Sequence, residues 1–450
     1  VSGSGTAGEE GPLRLSRARR NAVAAVVAQG IGVGASLLTV PIVTGYLGPA
    51  EYGVFLTLSS LLVWLSVADL GLSGNAFVQI IATAAARGGC DDVQRTTSST
   101  FFGLGLIALV LGISTLMFEP MIPWSVVFNT QSNVSAAELS AALRVSLLLF
   151  VSALPLGIGS AALIAHQEAH LAHAWSLAGN LLGVALLSLA VVADCGLWGV
   201  AAAFLLARGM SSLGACAHAV YRRPWLLPRL HMASLAELHR IAPLSLKAIG
   251  AQVAGLGQFQ SQALLVSHMA NPAEVGVFNL SYRILTLPLL AVQLASTPLM
   301  PAIADAYARR DLPWAWAVLR RYTWWAILLT ATLTFSGHLW LAPVVRQVAG
   351  APYVPPPALV MVLAFYAVVA AGVTPSSVFL YGVGRIGGQA AYAWVNALLA
   401  VPLMFLLTAR LGITGTALGM TLALAAVNPA AQWFELRRFE RVSGRRRVAT

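Results

Sequence analysis

An all-α polytopic membrane protein, with about twelve transmembrane helices in two six-helix lobes, is the fold class this sequence predicts. Three observations predict it. Of 450 residues, 58% are apolar and only 10% charged, and the mean hydropathy is +0.78. A soluble domain carries roughly 25% charged residues. Apolar runs of about 20 residues, each able to cross ~30 Å of hydrocarbon, recur from end to end. The third observation is a repeat: PAEYGVF at 49–55 returns as PAEVGVF at 272–278.

In chain order, spans are expected at 22–44, 53–80, 98–118, 138–164, 174–193, 197–220, 241–267, 275–303, 322–343, 357–380, 388–409 and 413–434. Residues 1–20, Gly/Ser-rich and then basic, are expected as a disordered cytoplasmic tail. The first span is too long for a signal-peptide core and lacks a small-residue cleavage site, so it is read as retained. Residues 21–221 then form an N-lobe, 222–240 a cytoplasmic linker, 241–436 a C-lobe, and 437–450 a second basic tail. Glycine and proline inside the spans do not argue against helices, because packed neighbours and wet cavities satisfy freed backbone groups.

Orientation follows from the basic residues. With both termini cytoplasmic, 21 of the 27 Lys and Arg lie inside, Arg346 and Arg410 lie outside, and four fall within spans. Basic residues accumulate on the cytoplasmic side. The net charge of +11 is therefore a topology signal and an attraction for anionic headgroups. Its scatter over loops and tails is not a nucleic-acid footprint. Cys90, Cys195 and Cys216 fall in an inner loop, an outer turn and a span, so they form no disulfide framework.

The repeat extends beyond the heptapeptide. AQGIGVG (28–34) matches AQVAGLG (251–257) at the same offset of 223. At an offset of 216, Asn180 matches Asn396 and GLWGVA (196–201) matches GITGTA (412–417). Six spans separate the copies, an even number, so both enter the membrane in the same direction. The pseudo-twofold axis is then expected along the membrane normal. Parallel repeats of this kind build transporters whose substrate site lies near the midplane.

TVPIVTGYLGPAEYGVF (39–55), LSVADLGLSGNAF (65–77) and EVGVFNLSYRILTLPLLAVQLASTPLMPAIADAYAR (274–309) resemble the polysaccharide-exporter branch of the multidrug/oligosaccharidyl-lipid/polysaccharide (MOP) transporter superfamily, the O-antigen (Wzx-like) flippases. The resemblance implies a MOP/MATE-like fold in a bacterial inner membrane. It also implies movement of an undecaprenyl-diphosphate-linked oligosaccharide from the cytoplasmic to the periplasmic leaflet. Partners implied are the lipid-linked substrate, membrane lipids, and a polysaccharide polymerase with its chain-length machinery. Many relatives carry two further C-terminal helices, a departure in length.

Ionisable residues inside a membrane mark function. The basic ones here are Arg144, Arg208, Lys247 and Arg283, and the clear acidic one is Asp69. A central Arg or Lys costs roughly 2.5–3.5 kcal/mol, so four facing lipid would cost on the order of 10 kcal/mol. They are expected to face water, an acid or a substrate in a shared wet vestibule. One acid does not neutralise four cations, so that vestibule selects an anion. A lipid diphosphate fits, since Arg presents a planar fork to phosphate oxygens. Arg208 and Arg283 are the expected diphosphate contacts, and Arg144 and Lys247 entry or exit contacts. Gln258, Gln262 and Asn279 are expected to offer hydrogen bonds to a glycan. For Arg144 and Lys247 the alternative is snorkelling to the nearer interface; for Arg208 and Arg283 it is a structural pair or a carbonyl clamp. Asp69, in VADLGLSGN, has two readings: a proton- or sodium-coupled carboxylate, or a cap for amides freed by a helix break at Gly71, Gly74 and Asn75.

His166, His170 and His173 share a helical face in HQEAHLAH, but this is the turn between two spans, where polar residues cap helices, and no metal is assigned. The one lysine, Lys247, follows leucine rather than glycine, which excludes a P-loop. Membrane glycosyltransferases need acids, bases or metal ligands on an ordered loop. The longest outer loop, 119–137, offers only Glu119 as an acid. The chain is therefore expected to be a transporter without cofactor, with H+ or Na+ coupling left open. A flippase working by alternating access around a cationic central cavity is the leading expectation. A multidrug antiporter or a lipid II flippase of the same superfamily, or a non-transporting assembly scaffold, are the alternatives.

Overall fold

The computed structural model describes residues 7–86, 89–130, 134–385 and 387–448, and among them there is no β-strand. The helices of the first half are α1 (Ala7–Tyr46), α2 (Pro49–Leu65), α3 (Asn75–Ala86), α4 (Cys90–Phe118), α5 (Trp124–Val127), α6 (Ala136–Ala153), α7 (Gly157–Ala165), α8 (Ala169–Val192) and α9 (Gly196–Arg222). The second half holds α10 (Leu235–Phe259), α11 (Ser261–Met269), α12 (Pro272–Leu285), α13 (Leu287–Ala308), α14 (Leu312–Phe335), α15 (Gly337–Val348), α16 (Pro357–Gly382) and α17 (Gly387–Val448).

Among the described residues eight helices are long and apolar enough to cross a membrane on their own. There are ten if two bent pairs each count as one span: α12 with the start of α13, bent by 42°, and α14 with α15, bent by 56°. The expected twelve spans exceed this count because those expected at 388–409 and 413–434 lie in one helix, α17, and the one expected at 241–267 is divided between α10 and α11. The span expected at 53–80 is α2, a 3-10 turn at Ser66–Asp69, and α3. Leu70 and Gly71 stand there in the left-handed region (φ 52° and 66°), which ends that 3-10 turn. α17 is broken at Gly412, whose φ is 58°. Its repeat mate Gly196 has φ 67°, so the two copies make the same left-handed step before the same helix.

One terminal expectation needs correction. α1 is helical from Ala7, through most of the stretch expected to be disordered; Gly8, Gly11 and Pro12 disfavour its start, but from Leu13 onward LRLSRARR (13–20) contains no helix breaker and leads straight into the first span. Residues 1–6 lie outside the described residues. At the other end the helix continues through 437–448, so the expected basic tail is helical over that stretch.

The chain divides into two compact units. The first comprises Val1–Leu47, Leu65–Ser125 and Val134–Gly250. Within it α8 packs between α1 and α9, and α9 also packs on α6 and α7. Leu72, Phe77, Ile81, Val93, Leu104 and Leu163 form a core that is closed to solvent. The second unit comprises Gly48–Trp64, Val126–Asn133 and Ala251–Thr450. There α16 packs on α13, α14 and α17, and α11 lies against α12 and α17. Most of α2 thus groups with the second unit, although its sequence belongs to the first copy of the repeat. The two heptapeptides explain it. Any Cβ on Gly53 would overlap the carbonyl of Pro272, and one on Gly276 would come within 3.1 Å of the Tyr52 ring. Glycine at these positions lets PAEYGVF pack directly on PAEVGVF.

Candidate functional site

Arg283 lies in the last turn of α12, just before the break at Thr286 that bends this span. Asn271 starts the helix by accepting from the Glu274 amide (3.0 Å), with Pro272 in the first turn. At its end the Thr286 hydroxyl donates to the Tyr282 carbonyl at 2.7 Å, which satisfies an acceptor at the break. The Arg283 side chain is exposed. Among the described residues no carboxylate pairs with it, and the Tyr52 phenol is the group it acts on electrostatically. The surroundings are aromatic. Tyr52 meets the edge of Tyr353 at 5.6 Å, and Tyr282 stacks on Phe278 at 6.3 Å while sharing a hydrogen bond with Tyr366. The Tyr353 hydroxyl is buried, with no hydrogen-bond partner among the described residues. A guanidinium offers five N–H donors in a planar fork, a set whose geometry matches the oxygens of an anion.

The other expected residues divide between the two units. In the second unit Gln258 and Gln262 are buried, at 6% and 4% exposure, and the Gln262 side-chain oxygen has no partner among the described residues. Asn279 donates to the Val275 carbonyl one turn back (3.0 Å), so that donor is used within its own helix. In the first unit Arg208 is exposed on α9 and lies over the Phe204 ring at 5.9 Å; among the described residues it too has no carboxylate. Lys247 is helical, but its side chain lies outside the described residues.

Arg144 has a different environment. Its Nε and Nη2 both donate to Glu119 Oε2, at 3.1 and 2.8 Å. The other Glu119 oxygen accepts from Ser140. Glu119 is 2% exposed, so this is a buried acid held by an arginine on the neighbouring helix. Asp69 makes the cap that was one of its two readings. Oδ1 accepts the Gly71 amide and Oδ2 the Ser73 hydroxyl, both at 2.6 Å. Its carboxylate ties off the left-handed turn between α2 and α3.

Two participants escaped the sequence reading. Glu119 was noted only as the lone acid of its loop, and a 25-residue separation gives no periodic link to Arg144. Tyr52 carried a signal that went unused: it is the single position at which the two heptapeptides differ, Tyr against Val275. The turn at 166–168 holds no metal cluster among the described residues. It holds an ion pair instead, with Glu168 accepting from Arg223 at 2.8 Å and lying 3.3 Å from Arg222.

Comparison with known proteins fits this geometry into a wider fold. Among solved structures, an inward-facing multidrug resistance MATE family transporter of the MOP superfamily matches at a TM-score of 0.76, with 15% identity over 93% of this chain and 99% of that one. An outward-facing conformation of such a transporter matches at 0.61, with 16% identity over 95% and 96%. The lipid II flippase MurJ in an inward closed conformation matches at 0.72, with 13% identity over 92% of this chain and 87% of that one. At these identities the likeness establishes the fold, that of MOP-superfamily transporters. No curated protein matches the chain. The family model described as "Polysaccharide biosynthesis protein" matches residues 18–307, well over half the sequence, and the chain belongs to that polysaccharide biosynthesis protein family.

Proposed function

We propose that this protein is a flippase that moves an undecaprenyl-diphosphate-linked oligosaccharide from the cytoplasmic to the periplasmic leaflet by alternating access. It would serve surface polysaccharide synthesis in the inner membrane of a bacterium, with both termini in the cytoplasm. The observation that carries this reading is Arg283, an exposed guanidinium in a broken span with no carboxylate partner among the described residues, in a chain of the polysaccharide biosynthesis family. Arg208 adds a second cation of the same kind in the other unit. A multidrug antiporter for cationic compounds shares the fold but calls for acids in its binding groups, the opposite sign. If the substrate carries about two uncompensated negative charges, outward movement gains about 2.3 kcal/mol per charge per 100 mV of an inside-negative potential. No coupling ion is then required.

The test is a strain carrying Arg208→Ala and Arg283→Ala at unchanged protein abundance. Lipid-linked glycan should accumulate in the cytoplasmic leaflet while surface glycan falls. Undiminished surface glycan in that strain removes both residues from transport and favours a scaffold without transport activity.

A further inference from the structure

The segment 222–240 was expected to be a linker, and the structure makes it a pinned strap. Two 3-10 turns, Pro224–Leu226 and Leu230–Met232, carry the chain from α9 to α10 across the start of α4. Ser98 and Ser99 of α4 accept the amides of Arg229 (3.0 Å) and Ser234 (2.9 Å), and Gln94 donates to the Leu227 carbonyl at 3.1 Å. Thr96 donates to Glu237 at 2.5 Å. Leu226 and Ile241 are buried in the core of the first unit. The run Thr96–Thr100, polar at every position yet closed to solvent, is the seat of the strap.

The strap turns large apolar side chains outward. Trp225 is 41% exposed, Leu227 50%, Leu230 72% and Leu235 79%. Interleaved with them are Arg222, Arg223, Arg229 and Arg240. Glu168 pairs with Arg222 and Arg223, and Glu237 pairs with Arg240. Four arginines against two acids leave a charge of +2, and among the described residues Arg229 has no acidic partner. Asp91 and Asp92 begin α4 about 10 Å farther along its axis than Ser98.

Depth decides what this face meets. Twenty residues separate Ser98 from Phe118 at the other end of α4. At 1.5 Å per residue that is about 30 Å, one hydrocarbon thickness. With Phe118 at one boundary, the strap lies at the other, in the layer where Trp and basic side chains partition and where leucines reach the acyl chains.

We propose that segment 222–240 is an interfacial anchor that gathers anionic phospholipid headgroups around the start of α4, with Arg229 as its selecting cation and Leu227, Leu230 and Leu235 dipping into the acyl boundary. Its occupant is bulk anionic lipid of that leaflet, and the proposal stands independently of what the protein transports. Because α4 holds the strap by its backbone, the anchor fixes the height of the first unit in the bilayer.

The test uses the full chain with Cys90→Ser, Cys195→Ser and Cys216→Ala, labelled with bimane at Leu230→Cys, in vesicles of phosphatidylcholine and phosphatidylglycerol. Bromine is placed on the chains of either lipid at equal mole fraction. Brominated phosphatidylglycerol is expected to quench at least twofold more strongly than brominated phosphatidylcholine, and Arg229→Glu should bring that ratio to about one. Equal quenching by both lipids in the parent overturns the selection of anions. Absence of quenching by either places the strap in water or against another protein and overturns the anchor. A ratio that survives Arg229→Glu overturns the role of that residue. The same label at Leu227→Cys repeats the measurement if the first variant fails to fold.

Discussion

Gly53 packs against the carbonyl of Pro272, so the first copy of the repeated heptapeptide rests on the first residue of the second. The repeat is thus a contact as well as a relic of duplication. Glycine is required because backbone meets backbone. Gly53→Ala is expected to destabilise the protein by about 1–3 kcal/mol, the usual range for overpacking. Thermal unfolding in detergent measures it, and an unchanged midpoint would mean that α2 does not approach α12 this closely.

The Glu119–Arg144 pair makes a different demand. Glu119→Gln should lower stability by about 1 kcal/mol, small for a buried acid because Arg144 is 45% exposed. Adding Arg144→Gln should cost little more, since the partner has already gone. A double-mutant cycle on unfolding checks this. Arg144→Gln that abolishes glycan export with an unchanged unfolding midpoint would return the residue to the transport pathway.

Asp69 is expected to act through the backbone. Asp69→Ala removes acceptors from the Gly71 amide and the Ser73 hydroxyl and should cost about 0.5–2 kcal/mol, as loss of a capping side chain does. Whatever transport remains should keep the parent's response to sodium and pH. A loss of ion dependence in that variant would restore the coupling role.

At the turn between α7 and α8, burial pushes His166 below its ordinary value of 6.5. The hydrogen bond from Arg223 holds Glu168 below its ordinary 4.5. For both groups the unfolded chain takes up its proton at higher pH than the folded one, so acid favours unfolding. Stability should decline as pH falls below about 6.5 through His166, then further below about 4.5 as Glu168 releases Arg223. His166→Gln should flatten the first decline and leave the second. An acid profile identical to the parent's would show that His166 contributes nothing to it.

Much of the fold was legible because the bilayer allows few solutions. The apolar runs announced the helices, and the matched GLWGVA and GITGTA announced equivalent steps, which Gly196 and Gly412 make with the same sign of φ. The break after Asp69 could be read from Gly71, which takes a positive φ there at no steric cost. The partners of the charges were less legible. Hydropathy and spacing report on one helix at a time, whereas Arg144 finds its acid on a loop and Arg283 finds Tyr52 across about half the sequence. The strap over α4 was hidden for the same reason, because a run of Ser and Thr on a helix does not say what covers it.

The central claim is that Arg283 recognises a phosphate group. It is tested most directly by the binding of undecaprenyl diphosphate to the purified protein, comparing the parent with Arg283→Gln at equal unfolding midpoints. A charge-assisted hydrogen bond contributes about 1.5–3 kcal/mol, so affinity should fall roughly 10- to 100-fold. Equal affinity in the two proteins would contradict the account.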